Sequence, residues 1–133
     1  MVYSNYIGGS EIDYGYGYGV AVDGSLDAYT TGYTNSPNYD FTPGAYQKTH
    51  GGGLKDIFVT KVNSSGTGLV YSTNIGWSVD DEGKDIAVDG SGNAYISGHT
   101  KSTNYDVTTC AFQTANGGSE DVFVTKLCLS QQP

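Results

Sequence analysis

Oxygen-bearing side chains alternate along Asp89-Gly-Ser-Gly-Asn93, the spacing with which a calcium loop presents its ligands. A calcium loop also needs a third acidic ligand and a distal bidentate Glu, and neither is present. The earlier stretch Asp23-Gly-Ser-Leu-Asp27 comes no closer. Both read as tight turns, because Asp, Gly, Ser and Asn are the residues that hairpin turns demand. A second acidic run is Val79-Asp80-Asp81-Glu82, just ahead of strand-like sequence. Asp80 and Asp81 are candidates for contact with a cation or polar ligand, and a solvated turn is the competing reading. Tyr14, Tyr16, Tyr18 and Trp77 form an aromatic group expected near the same rim. Tyr14, Tyr16 and Trp77 are candidates for stacking on sugar rings, against the alternative of packing between structural units. Tyr16 and Tyr18 share one face of a strand. Their later counterparts are Lys84 and Ile86, so an aromatic site repeated in every unit is not expected.

Other chemistry is sparse. His50 and His99 stand alone, without His-x-x-x-His or Cys-x-x-Cys, so no metal site and no cofactor is expected. No nucleophile elbow, P-loop or dinucleotide fingerprint occurs, and the chain is not expected to be an enzyme. Cys110 and Cys128 enclose a gap of 17 residues. A bridge between them would contribute about 3 kcal/mol, and buried thiols are the alternative. Asn63-Ser64-Ser65 is a glycosylation acceptor only in a host that reads it.

The elements that must position these residues are organised around Asp85 to Thr100, DIAVDGSGNAYISGHT, which reads as two strands about a turn. Gly19 to Thr34, GVAVDGSLDAYTTGYT, is a degraded copy. Val2-Tyr-Ser4 matches Val70-Tyr-Ser72 at an offset of 68, and Ala21-Val-Asp23 matches Ala87-Val-Asp89 at 66. Asp56-Ile-Phe-Val-Thr-Lys61 matches Asp121-Val-Phe-Val-Thr-Lys126 at 65. The drift marks small loop insertions in one repeat unit. Residues 1–133 read as a single β-propeller-repeat domain, with repeat one at about 2–69 and repeat two at about 70–133. Predicted strands are Tyr18–Asp23, Ala28–Gly32, Ile57–Val62, Leu69–Ile75, Asp85–Asp89, Ala94–Gly98 and Val122–Leu127. Asp56 to Val62 alternates weakly, as expected of a strand buried on both faces. The long loops at 35–54 and 101–119 carry Phe41, Tyr46 and Phe112, which could pack back as a cover.

The whole composition agrees. The chain has 20 glycines, 12 tyrosines and 3 prolines in 133 residues, and no amphipathic helical window. Its net charge of −8, with six scattered basic residues, argues against nucleic-acid binding. No apolar run is long enough for a membrane span. Met1 runs directly into strand-like sequence, so no signal peptide is read at the head.

DIAVDGSGNAYISGHT, with DVFVTKL after it and VYSTNIG before it, is similar to the bacterial β-propeller repeat family called SBBP. Members carry runs similar to YSTYLGG, IAVDxxGNAYVTGxT, TPGAYQ and DAFVTKL, and both repeats here resemble them. Departures are Trp77 for a glycine, Leu26 for the turn glycine, and Thr109-Cys110 for Pro43-Gly44. The resemblance implies one propeller blade per repeat, an exported or cell-surface bacterial protein, and no shared catalytic residues.

The order of strands adds a further expectation. Val2–Ile7 reads as a spare outer strand, and the second blade reads as lacking its own. Two blades do not close a ring, since propellers have four or more. The expected fold is therefore all-β: two four-stranded antiparallel blades per chain, one completed by the N-terminal strand of a neighbouring copy. Val2, Tyr3, Ser4 and Ile7 would pair with the strand holding Val122, Val124 and Leu127. Three copies give six blades and four give eight; an open filament results if the rotation does not close. The expected function is a non-enzymatic extracellular scaffold that is its own partner. A lectin-like ring binding glycans is the alternative.

Overall fold

The computed structural model describes residues 1–8, 16–36, 39–43, 45–46, 55–76, 78–103, 108, 111, 113, 115 and 117–128. Among them are seven strands and no helix. These are β1 (Tyr16–Val22), β2 (Ala28–Thr34), β3 (Asp56–Val62), β4 (Leu69–Ile75), β5 (Asp81–Val88), β6 (Asn93–Thr100) and β7 (Asp121–Cys128). β1 to β4 form one antiparallel sheet in chain order, and β5 to β7 form a second.

The β1–β2 and β5–β6 turns are built alike. The Asp23 carboxylate accepts the N–H groups of Ser25 and Asp27 at 2.9 Å each. Asp89 accepts those of Ser91 and Asn93 at 2.9 and 3.0 Å. Each Asp thus closes its own turn through its side chain, which is why Asp opens both. Position four of the turn has a left-handed backbone in both repeats. It is Gly92 at φ 81° in the second and Leu26 at φ 65° in the first.

β3 is buried along its whole length, as its sequence predicts. Alternation sends Ile57, Val59 and Lys61 to one face and Phe58, Thr60 and Val62 to the other. The first face meets the second sheet. Tyr29, Ile57, Val59, Tyr71 and Ile75 form one core with Ile86, Ala94, Ile96 and Phe123. The other face is covered by the 39–46 loop. Tyr39 stacks on Phe58 at 5.1 Å and its hydroxyl bonds Thr60 at 3.0 Å, while Phe41 lies 5.5 Å from Tyr39. Tyr46 donates its N–H to the Tyr71 hydroxyl at 2.9 Å. Phe112 lies outside the described residues.

Between the sheets, β5 lies across β1, β2 and β3. Gly83 makes that approach possible: a Cβ there would press on the Thr31 side chain, Ile57 and the Gly32 carbonyl. The Asp81 N–H also donates across the sheets to the Lys55 carbonyl at 2.8 Å.

One expectation is corrected, and one is left to a neighbouring copy. β5 starts at Asp81, not Asp85, because Asp81 pairs with Thr100 and extends the ladder. Val2–Ile7 is not a strand in the single chain. Asn5 donates its side-chain amide to the Gly66 carbonyl at 2.8 Å, and the Gly8 N–H donates to Asp40 at 3.1 Å. A strand needs a ladder partner, and these contacts supply none. Among the described residues there are therefore one four-stranded and one three-stranded sheet.

Candidate functional site

Two constellations gather the polar side chains. The first is an Asp–Tyr–Lys set that occurs once per repeat. In the first sheet the Tyr29 hydroxyl donates to Asp23 at 2.7 Å, and the Lys61 ammonium sits 5.0 Å from the Tyr29 ring centre. Lys61 also lies 3.8 Å from Asp23 and 3.7 Å from Asp27. Partial desolvation pushes the Asp23 carboxyl up, but the Tyr29 hydroxyl and the two turn N–H groups outweigh it and hold it below its ordinary value. In the second sheet the Tyr95 hydroxyl donates to Asp89 at 3.1 Å, and Lys126 lies 5.3 Å from the Tyr95 ring. The Asn93 side chain, donating at 3.0 Å, is the main reason that the Asp89 carboxyl is lowered to about 2.

The two sets differ in one respect. Tyr29 is fully buried against the second sheet, and its hydroxyl lies 3.4 Å from the Gly92 carbonyl there. Tyr95 is 36% exposed on the outer face. The sequence carries this set legibly, as an Asp, a Tyr six residues later and a Lys on the third strand in both repeats. Its meaning stays hidden until the hairpins bring the three together.

The second constellation lies at the seam between the sheets. Glu82 bonds Lys55 at 3.2 Å and Lys84 at 3.1 Å, with the His99 ring 3.6 Å away. His99 in turn pairs with Glu120. Burial raises the Glu82 carboxyl, and Lys84 and Lys55 more than reverse that, leaving it below its ordinary range. Lys84 stands 4.0 Å over the Tyr18 ring, and Lys55 stands 4.7 Å over Tyr33. The register corrects one equivalence: Tyr18 matches Lys84, not Ile86, because each sits at the bulge in the first strand of its sheet. The chemistry here is charge pairing that ties two sheets together, with the Lys55 and Lys84 ammonium groups both on Glu82.

Tyr14 and Trp77 lie outside the described residues, and Tyr16 opens β1 with only its backbone described. Asp80 is half-buried, and its carbonyl accepts the Lys101 N–H at 3.0 Å. Asp81 is fully buried and accepts a hydrogen bond from the Thr100 hydroxyl, which closes the open end of its own hairpin. His99, which looks solitary in sequence, faces Glu82 in the β5–β6 register. Val122 and Val124 project from the outer face of β7, at 80% and 76% exposure, whereas Leu127 packs against the core. Cys128 ends β7 and is exposed, and Cys110 lies outside the described residues. Among the described residues no group of His, Cys, Asp or Glu could hold a metal ion, and no helix is long and apolar enough to cross a membrane.

Antiparallel sheets in chain order, an Asx-closed hairpin in each and a face-to-face stack of one sheet on the next are the marks of propeller-blade repeats. The SBBP model, a beta-propeller repeat, matches residues 2–40 and 70–106, and the chain belongs to that family. No curated protein matches the chain.

Proposed function

We propose that this protein is a non-enzymatic structural unit, working outside the bacterial cell, that assembles with copies of itself by β-strand exchange. The observation that carries the proposal is the inequality of its two sheets. The Val70-Tyr71-Ser72 stretch forms β4 on β3, and it closes the first sheet. The matching stretch Val2-Tyr3-Ser4, with Ile7, belongs to no sheet in the single chain, while among the described residues the second sheet ends at β7. Val2 and Tyr6 are fully exposed, and the segment is held by exposed hydrogen bonds at Asn5 and Gly8, worth about 1 kcal/mol each, and by the Tyr3 ring packed against Gly66. Pairing with β7 of a neighbour would replace these contacts with a run of ladder hydrogen bonds. The contact is head-to-tail, giving a ring of six or eight blades from three or four chains, or a filament.

The charged groups fit this role. Asp23 and Asp89 close turns, and Glu82 with its lysines ties sheet to sheet. Native mass spectrometry tests the proposal together with Tyr3→Pro, which removes a ladder N–H from the exchanging strand. Oligomers that fall to monomers on Tyr3→Pro support it, and a wild-type chain that remains a folded monomer at high concentration rejects it. The lectin alternative, through Tyr14, Tyr16, Trp77 and Asp80, is separated by a glycan array: reproducible binding lost on Trp77→Ala would favour it.

A further inference from the structure

The interface between the two sheets inside one chain is a template for an interface between chains. The inner face of the first sheet presents Ala21, Tyr29, Thr31, Ile57, Val59 and Lys61, all buried or partly buried against the second sheet. The repeat offsets of 66 and 65 carry these positions onto Ala87, Tyr95, Ser97, Val122, Val124 and Lys126. Those residues form the outer face of the second sheet, where Asp85, Ala87, Tyr95, Ser97 and Val124 line a shallow hollow of about 180 Å³. The reverse mapping holds along β1, while Phe58, the equivalent of Phe123, is covered by Tyr39. Ile86 and Val88 of β5 fill the internal interface, and their equivalents Val20 and Val22 on β1 are 69% and 55% exposed. One chain thus carries both halves of a second copy of its own internal contact, one on each outer face.

We propose that β1 of a second copy docks, head to tail, on the outer face of the β5–β6–β7 sheet, as β5 docks on the first sheet within the chain. This rests on the self-assembly reading and names the faces that it uses. Three observations favour a second copy of this chain as the occupant. Gly83 is confined by Thr31, Ile57 and Gly32 across the internal interface, whereas a Cβ on its equivalent Gly17 would meet only the Thr30 hydroxyl at 3.8 Å. Among the described residues, nothing requires glycine at position 17. A docked copy does, because Ser97, Gly98 and Val122 then stand where Thr31, Gly32 and Ile57 stand for Gly83. Next, Tyr18 and Lys84 are equivalent, and they meet as a cation over a ring. A second copy brings Tyr18 to Lys84 again, so the alternation of ring and cation continues, whereas a second β5-like strand would bring lysine to lysine. Last, Gly19 leaves room for the Asp85 backbone at 3.1 Å, and the same pair recurs when β1 of the next copy stacks on β5.

The test compares four variants by light scattering over a concentration series and by thermal unfolding at high dilution. Gly17→Val and Val124→Lys alter exposed positions and are expected to weaken association about 10- to 100-fold while leaving the melting of the dilute chain unchanged. Gly83→Val, the same change at the internal interface, is expected to lower the melting temperature at every dilution. Tyr3→Pro reports strand exchange separately. Association that survives both Gly17→Val and Val124→Lys overturns the face-docking inference, even if Tyr3→Pro abolishes it and strand exchange therefore stands. Loss of association in the face variants but not in Tyr3→Pro upholds docking and rejects strand exchange. A wild-type chain that never associates overturns both.

Discussion

Two glycines two residues apart in one turn give opposite expectations. Gly90 has open space where a Cβ would go, and its backbone is not left-handed. Gly90→Ala therefore restricts the unfolded chain and stabilises by about 0.4–1 kcal/mol. Gly92 sits at φ 81°, and an added Cβ would touch only the Tyr29 hydroxyl at an ordinary 3.6 Å. Its cost is thus conformational: about 1–2 kcal/mol for a left-handed residue, less the 0.5–1 kcal/mol regained from the unfolded state. Gly92→Ala should destabilise by about 1 kcal/mol. The two variants then differ by about 1.5–2 kcal/mol, or roughly 5–8 °C in Tm for a chain of this size. Leu26 is the natural counterpart, bearing the same strain at φ 65°. Leu26→Gly relieves that strain, but it frees the unfolded chain and uncovers the third of the side chain that is shielded, so it should change stability by less than about 0.5 kcal/mol. Thermal unfolding by circular dichroism, at matched protein concentration, reads all three. Equal losses in Gly90→Ala and Gly92→Ala, or the reverse order, would refute the reasoning.

Other expectations follow from the same contacts. Ile96 is fully buried where the sheets meet, so Ile96→Ala should cost about 2–5 kcal/mol in a urea titration. Tyr29→Phe strands Asp23 beside the internal interface and should cost about 1–2 kcal/mol, whereas Tyr95→Phe, at an exposed position, should cost less in the dilute chain. The carboxyls of Asp23 and Asp89 are lowered in the folded state, so their contribution is present above the ordinary value of 3.8 and is lost as pH falls, for Asp89 through about 2. Stability measured between pH 5 and pH 2 should decline more gently in Asp89→Asn, and an unchanged slope would remove the turn carboxylate from the explanation.

Much of this fold can be read directly from the residues. The equal spacing of the two hairpins, the Asp-Gly-Ser turns and the uninterrupted apolar run of Ile57 to Val59 are local signals, and each forms what it predicts. Where sequence and structure part, a non-local partner decides. Asp80-Asp81-Glu82 looks like a solvated turn because it is acidic. Thr100 opposite Asp81, and Lys55 and Lys84 beside Glu82, turn most of it into buried strand. Val2 to Ile7 has strand composition, but a strand is made by its neighbour, and within one chain no sheet takes it up. The Asp–Tyr–Lys spacing is written in both repeats, but its members, like those of the seam around Glu82, lie on different strands and meet only once the register is fixed.

Light scattering or native mass spectrometry on the unmodified chain tests the self-assembly reading most directly. Head-to-tail completion predicts species of three or four copies, or an open-ended series, built on the 14.0 kDa protomer. A single 14.0 kDa molecule, folded and unassociated at high concentration, would contradict it.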